Sequence, residues 1–204
     1  MTASAGPALK QLYREYGDRV AFLTVYVREA HPGERYPQPQ LFDDKLAHAR
    51  AYKGRDQIPW TVAVDDIEGS FHQVVDPKPN AAYFVDADGH IVFRALWSND
   101  EAGLRQGFEA LVSDDPAAAR GQREAKLIPM MRGIGKMDEV LGSAGDEARR
   151  DFRRALPPVY GMAKIAGWFR PLPPLGRAIA AMGVVATAVG AAGAFGWRAF
   201  RRAA

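Results

Sequence analysis

VYVREAHPGERYPQP (Val25–Pro39) opens as an apolar, β-branched run and turns abruptly to Arg28, Glu29, His31, Glu34 and Arg35. The whole run reaches back into AFLTVYV, apolar enough to predict a strand covered on both faces, as parallel strands are. Just before it, Pro7, Leu9, Leu12, Tyr13 and Tyr16 recur at helical spacing, with Pro7 at the first turn and Gly17 as the stop. The strand therefore ends on a carboxylate and an imidazole two residues apart, in the place where open α/β sheets bind ligands. Histidine titrates near neutrality, and a neighbouring carboxylate can fix its tautomer and charge.

Working outward, Phe42, Leu46, Ala49 and Tyr52 predict a second helix over about 40–53, and WTVAVDD from Trp60 a second strand. A short helix over Glu68 to Val75 is stopped by Pro77 and Pro79. AAYFVDADGHIVFRALW (Ala81–Trp97) reads as two strands joined by a turn at Asp88-Gly89. Ser98 and Glu101 have the spacing of a capping box for a helix carrying Leu104, Phe108, Leu111 and Val112. The order α-β-α-β-α-β-β-α defines a first domain over 1–113. From Asp115 the composition shifts to Ala, Gly, Arg and Pro with no further strand-like run, so 114–177 is expected to be helical and linker, with a basic amphipathic helix at about 146–156. That helix carries Arg149, Arg150, Arg153 and Arg154, which suit either solvent or anionic lipid head groups.

The 204 residues suffice for one globular domain with appendages. A net charge of +3 without any nucleic-acid motif argues against nucleic acid as a partner. The sequence contains no cysteine, which excludes disulfides, thiolate metal sites and thiol nucleophiles from these residues. Asp65, Asp66 and Glu68 lack a spaced partner, so they read as a strand end and helix cap, and no metal or cofactor is expected. His48 and His72 read as surface or packing residues and His90 as a turn residue.

Residues 178–197 contain no charge and no proline and are long enough to cross a hydrocarbon core of roughly 30 Å. Gly183, Ala186, Gly190 and Ala194 place small residues where a second transmembrane helix can approach, which suggests a homodimer through this segment. Trp168, Phe169 and Trp197 suit the two interfaces, followed by a basic tail over 198–204. With no secretory signal visible at the start, the expectation is a single-pass C-terminal anchor contacting membrane lipid, with the main domain in the cytoplasm.

VYVREAHP, NAAY and DADGHI together resemble the iodothyronine deiodinases and their bacterial redoxin-like relatives, over about Pro7 to Val112. The resemblance implies a thioredoxin-like fold in which Glu29 and His31 assist proton transfer around a selenocysteine or cysteine nucleophile. It implies a cleft at Asn80, which stands in the slot where thioredoxin-like proteins place a cis-proline, with Pro79 one residue early. Trp60 reads as a cleft wall or as a core residue flanking the sheet. The reductant would be a small thiol or a thioredoxin-type protein.

That family sets its nucleophile between a first strand and the first helix, and this sequence begins at the helix. The expected fold is therefore α/β and thioredoxin-like, lacking its first, central strand, which would lie between the counterparts of Val20–Val27 and Ala81–Asp86, followed by a helical region with one transmembrane helix. One expectation is a start written too late, after a selenocysteine or cysteine codon; the other is a short form with its activity lost. Two functions follow: a membrane-anchored, deiodinase-like redox protein whose nucleophile is absent from these residues, or a non-catalytic membrane-anchored binding or scaffold protein.

Overall fold

In a computed structural model describing residues 2–29, 32–75, 80–113 and 121–203, the first helix, α1 (Thr2–Tyr16), starts earlier than its proline predicts. Pro7 lies inside the helix, where it forfeits the bond to the Ala3 carbonyl. Gly17 closes the helix as expected, its N–H donating to the Tyr13 carbonyl at 2.9 Å.

The described residues form an α/β protein with eight helices and two small sheets. Strand β1 (Leu23–Tyr26) pairs in parallel with β2 (Thr61–Val64), in register from Leu23↔Thr61 to Tyr26↔Val64, through the crossover helix α2 (Phe42–Arg55). A short helix, α3 (Ser70–Val75), follows. Strands β3 (Ala82–Val85) and β4 (Ile91–Ala95) form the predicted hairpin. Its turn is fixed by Gly89 at φ 85° and by Asp86 Oδ1, which accepts from the N–H groups of Asp88 at 3.1 Å and His90 at 2.8 Å.

A third strand, β5 (Gly121–Arg123), runs parallel to β4 and corrects the expectation of no strand beyond the first domain. Gly-Gln-Arg has no apolar pattern to reveal it, and all three residues are exposed. Main-chain pairing and the Arg123 Nε donation to Asp100 Oδ2 at 2.8 Å hold it. The same contact undoes the predicted capping box. Helix α4 (Glu101–Val112) follows Asp100, whose carboxylate serves Arg123 and makes no side-chain cap bond.

The principal core joins α1, β3, β4 and α4 through Leu12, Tyr16, Phe84, Phe93, Leu104 and Phe108. Rings continue out of it: Phe108 stacks on Phe22 with centroids 4.9 Å apart, and Phe22 meets Trp60 at 5.5 Å. This aromatic chain is the physical bridge between the sheets.

The C-terminal residues form helices α5 (Leu127–Ala144), α6 (Asp146–Ala155), α7 (Pro157–Gly167) and α8 (Pro174–Ala203). Helix α5 packs so closely on the start of α8 that a Cβ at Gly135 would lie 1.8 Å from the Pro174 carbonyl oxygen. Ion pairs hold the same bundle, with Asp138 taking Lys164 at 2.8 Å and Glu139 bridging Lys136 and Arg177. Burial pushes the Glu139 carboxyl up, but its bonds from Lys136 and Arg177 prevail and keep it below the usual range. Ala178 and Ala181 of α8 are buried, whereas 182–194 are exposed. The segment Pro174–Ala194 has a mean hydropathy of 1.6 and is long and apolar enough to cross a membrane. It begins four residues before the span the sequence predicts, because the helix itself starts at Pro174.

A candidate acid–base site on the rim of an open groove

No residue of β1 is fully buried, and Leu23 is 61% exposed, against the expectation of a strand covered on both faces. The reason lies in the sheet. Among the described residues β1 pairs only with β2 and β3 only with β4, and no strand lies between β1 and β3. Both instead line one groove of about 1710 Å³, bordered also by α1, α4 and α5.

At the groove's rim, just past the C-terminal end of β1, stands Glu29. The Tyr26 hydroxyl donates to Glu29 Oε1, and the buried Nδ1 of His48 lies 3.4 Å from the same oxygen. Helix α2 sets down His48, Tyr52 and Arg55 along one side, since residues three and four apart share a helical face. Tyr36 packs edge-on against the His48 ring, with centroids 5.5 Å apart, and Tyr26 meets Tyr52 at 6.0 Å.

These aromatic neighbours dry the carboxyl. Burial pushes the Glu29 pKa up to about 7, opposed in part by the Arg55 guanidinium. The Tyr52 phenol is raised to about 12, mainly by burial and further by the Asp56 charge. Glu29 thus exchanges a proton at neutral pH, where a general acid–base group is most effective. The Tyr26 hydroxyl orients it, with His48 Nδ1 standing beside the same oxygen.

His31, the other half of the sequence-predicted pair, and Pro79 lie outside the described residues. Asn80 lines the groove with φ 76°, and its carbonyl accepts from the Ser98 N–H. Trp60 combines both of its expected roles: it is 7% exposed within the aromatic bridge and also lines the groove, its Nε1 donating to Thr24 Oγ1 at 2.9 Å.

His48 was expected to be a surface or packing residue, yet it sits beside Glu29. The signal in the sequence was the spacing of His48, Tyr52 and Arg55; the apolar stripe competed with it and misled, since Phe42 is 47% exposed while Lys45 is buried. Lys45 Nζ donates to the Asp66 carbonyl, which explains a buried lysine on α2. Asp65 and Asp66 do act at a strand end and helix start. Asp65 accepts from the N–H groups of Asp66, Phe71 and His72, and Asp66 from that of Ser70. Among the described residues Asp86, Asp88 and His90 bring ligand atoms within 4.8 Å of one another, on an exposed turn where Asp86 already holds the backbone.

The loop after Glu29 is tied to the C-terminal helices. Both oxygens of Glu34 accept from the first N–H groups of α6, those of Asp146 and Glu147, and these bonds hold its carboxyl below the usual range. The Arg35 N–H donates to the Ala144 carbonyl at 3.3 Å. Gly145 permits this approach with φ 118°, since a Cβ there would lie 2.2 Å from the Glu34 carboxyl carbon.

The chain matches no protein-family model, no curated protein and no solved structure.

Proposed function

We propose that this chain carries the acid–base half of a redoxin-like site, resembling that of the deiodinases, on a C-terminal membrane anchor with its main domain in the cytoplasm. The observation that carries this reading is Glu29: a carboxyl at the end of a parallel strand, on a groove rim, with a pKa of about 7 and with Tyr26 and His48 against it. Support for a thioredoxin-like arrangement comes from β1 and β3 each having one strand neighbour among the described residues, since these are the two strands that the resemblance would place on either side of a central strand. The anchor is supported by the exposed apolar length of α8. Gly183 and Gly190 have open space where a Cβ would stand, which suits a second such helix in a homodimer.

In this chemistry a thiol or selenol loses its proton to the Glu29 carboxylate as it becomes the attacking thiolate or selenolate. It attacks the halogen of an organic halide or an oxygen of a peroxide-like substrate. As the carbon–halogen or O–O bond breaks, the proton passes to the leaving carbon or oxygen. Two reductant thiols then return the halogenated or hydroxylated sulfur or selenium to the nucleophile, becoming a disulfide and releasing halide or water. His31 would share the proton, and Asn80, Pro79 and Trp60 would bound the substrate cleft. No cysteine stands among these residues, so the nucleophile comes from outside them.

Carboxyl-resolved NMR of the full chain in detergent, assigned with Glu29→Gln, tests the reading. A midpoint near 7 is expected, and a midpoint in the ordinary carboxylate range would remove Glu29 as the proton carrier. The chain alone is expected to add nothing to the reaction of dithiothreitol with peroxide or an iodinated phenol. Robust turnover would show that the chemistry has been assigned to the wrong groups. The second reading, a non-catalytic anchored binding protein, is favoured by the absence of cysteine together with the size of the groove; it survives an ordinary Glu29 titration.

A further inference from the structure

Helix α8 runs along α5 in the same direction: the Pro174 carbonyl meets Gly135, and Arg177, three residues on, reaches Glu139. Both helices rise equally per residue, so this register brings the fully buried Ala181 level with the end of α5. The exposed apolar length from 182 therefore emerges where α5 gives way to α6.

Successive residues of α6 turn by about 100°, which divides the helix into two faces. Ala148 and Phe152 pack into the bundle with Leu141 and Ala144. Arg150, Arg153 and Arg154 lie on the opposite side, and all three are exposed. From Arg149 to Leu156 the chain carries four arginines and one aspartate. Asp146 pairs with Arg149 at 3.1 Å and Asp151 with Arg154 at 3.6 Å, whereas among the described residues Arg150 and Arg153 have no carboxylate within 4.0 Å. An anion arriving here finds the helix start occupied, because Glu34 already takes the N–H groups of Asp146 and Glu147. It meets guanidinium groups instead, whose planar donors match phosphate oxygens. Beside them Leu156 is 48% exposed. Arginines flanked by an exposed leucine, where an apolar helix leaves its bundle, match the charge and polarity of a lipid surface.

We propose that the α6 end of the bundle rests on a membrane surface containing anionic phospholipid, with Arg150, Arg153 and Arg154 against the head-group phosphates and Leu156 inserted between them. This contact rests on the reading of α8 as an anchor and is independent of the Glu29 chemistry. The cytoplasmic leaflet, which carries the anionic lipids, is the one it requires.

The chain lacks cysteine, so Leu156→Cys offers a single site for a nitroxide label. The full chain bearing it is reconstituted into phosphatidylcholine vesicles, with or without an equal part of phosphatidylglycerol. Electron paramagnetic resonance then measures collision of the label with a water-soluble nickel chelate present on both sides. Nickel access is expected to be several-fold lower with phosphatidylglycerol than without it. High salt should restore access, as should Arg150→Gln, Arg153→Gln and Arg154→Gln together, since each arginine near an anionic surface strengthens attachment about fivefold. Equal access in the two lipid compositions would overturn the proposal, as would a difference that survives loss of the three arginines. Low access in phosphatidylcholine alone that depends on the protein-to-lipid ratio would overturn it in favour of a second copy on this face. An alkaline wash tells the two readings apart. A chain that stays in the vesicles with its label open to nickel in both lipids overturns the surface contact alone, whereas a chain released by the wash removes the anchor as well.

Discussion

β4 and β1 are both short and apolar, IVFRA and LTVY, yet they occupy opposite conditions. In β4, Phe93 is 2% exposed and Ala95 is fully buried; in β1 nothing is buried and Leu23 is 61% exposed. Side-chain hydrophobicity does not separate them. β4 has a strand on each side and lies against α4, whereas β1 has a strand on one side and the groove on the other. A strand's burial is thus set by its neighbours in the sheet, and the groove that leaves β1 half-covered is the one that Glu29 lines.

The contrast predicts its largest effect in stability. Phe93→Ala removes a ring packed against Phe84 and should cost about 3–5 kcal/mol. Val25→Ala, in the middle of β1, should cost less than about 1 kcal/mol, because its methyl groups are only half withdrawn from water. Urea unfolding of the full chain in detergent, followed by circular dichroism, measures both. Similar losses at the two positions would mean that β1 is as well packed as β4.

The pH dependence of stability sharpens the comparison further. A carboxyl raised from 4.5 to about 7 binds its proton more tightly folded than unfolded, so stability falls as pH rises through this window and levels off above it. The full shift would be worth about 3 kcal/mol, and partial exposure reduces this to about 1–2 kcal/mol. Glu29→Gln, neutral at every pH, should flatten that slope between pH 4.5 and 7. An unchanged slope would place the titration on another group.

Local patterns carried much of the fold. The hairpin was legible because Asp88-Gly89 dictates a turn between two apolar runs, and α6 because its charges and its apolar residues separate cleanly. Strand β5 was not, since nothing in Gly-Gln-Arg says strand until β4 offers its edge. Glu29 stood out as a charge ending an apolar run. His48 did not, because its role comes from a contact 19 positions away that only the β1–α2–β2 crossover brings about. The apolar length of α8 was legible from composition alone, but its first turns belong to the helical bundle through Ala178 and Ala181.

The smallest expected effect concerns the join between the two regions. Glu34 is the only carboxylate among the described residues that both follows β1 and caps a C-terminal helix, binding the first N–H groups of α6. Its folded pKa is depressed, so its contribution is present above the ordinary carboxylate range and is lost as pH falls through the folded value. Glu34→Ala should leave the urea midpoint nearly in place, because the core of α1, β3, β4 and α4 does not involve it. It should nevertheless speed amide exchange at Asp146 and Glu147 several-fold at neutral pH, and Glu34→Asp, one methylene shorter, should restore only part of the protection. If exchange at those amides stays slow in Glu34→Ala, the Arg35 N–H bond to Ala144 and the packing of α6 on α5 hold the helix start without the carboxylate. The loop after Glu29 would then be coupled to the helical bundle by backbone contacts rather than by charge.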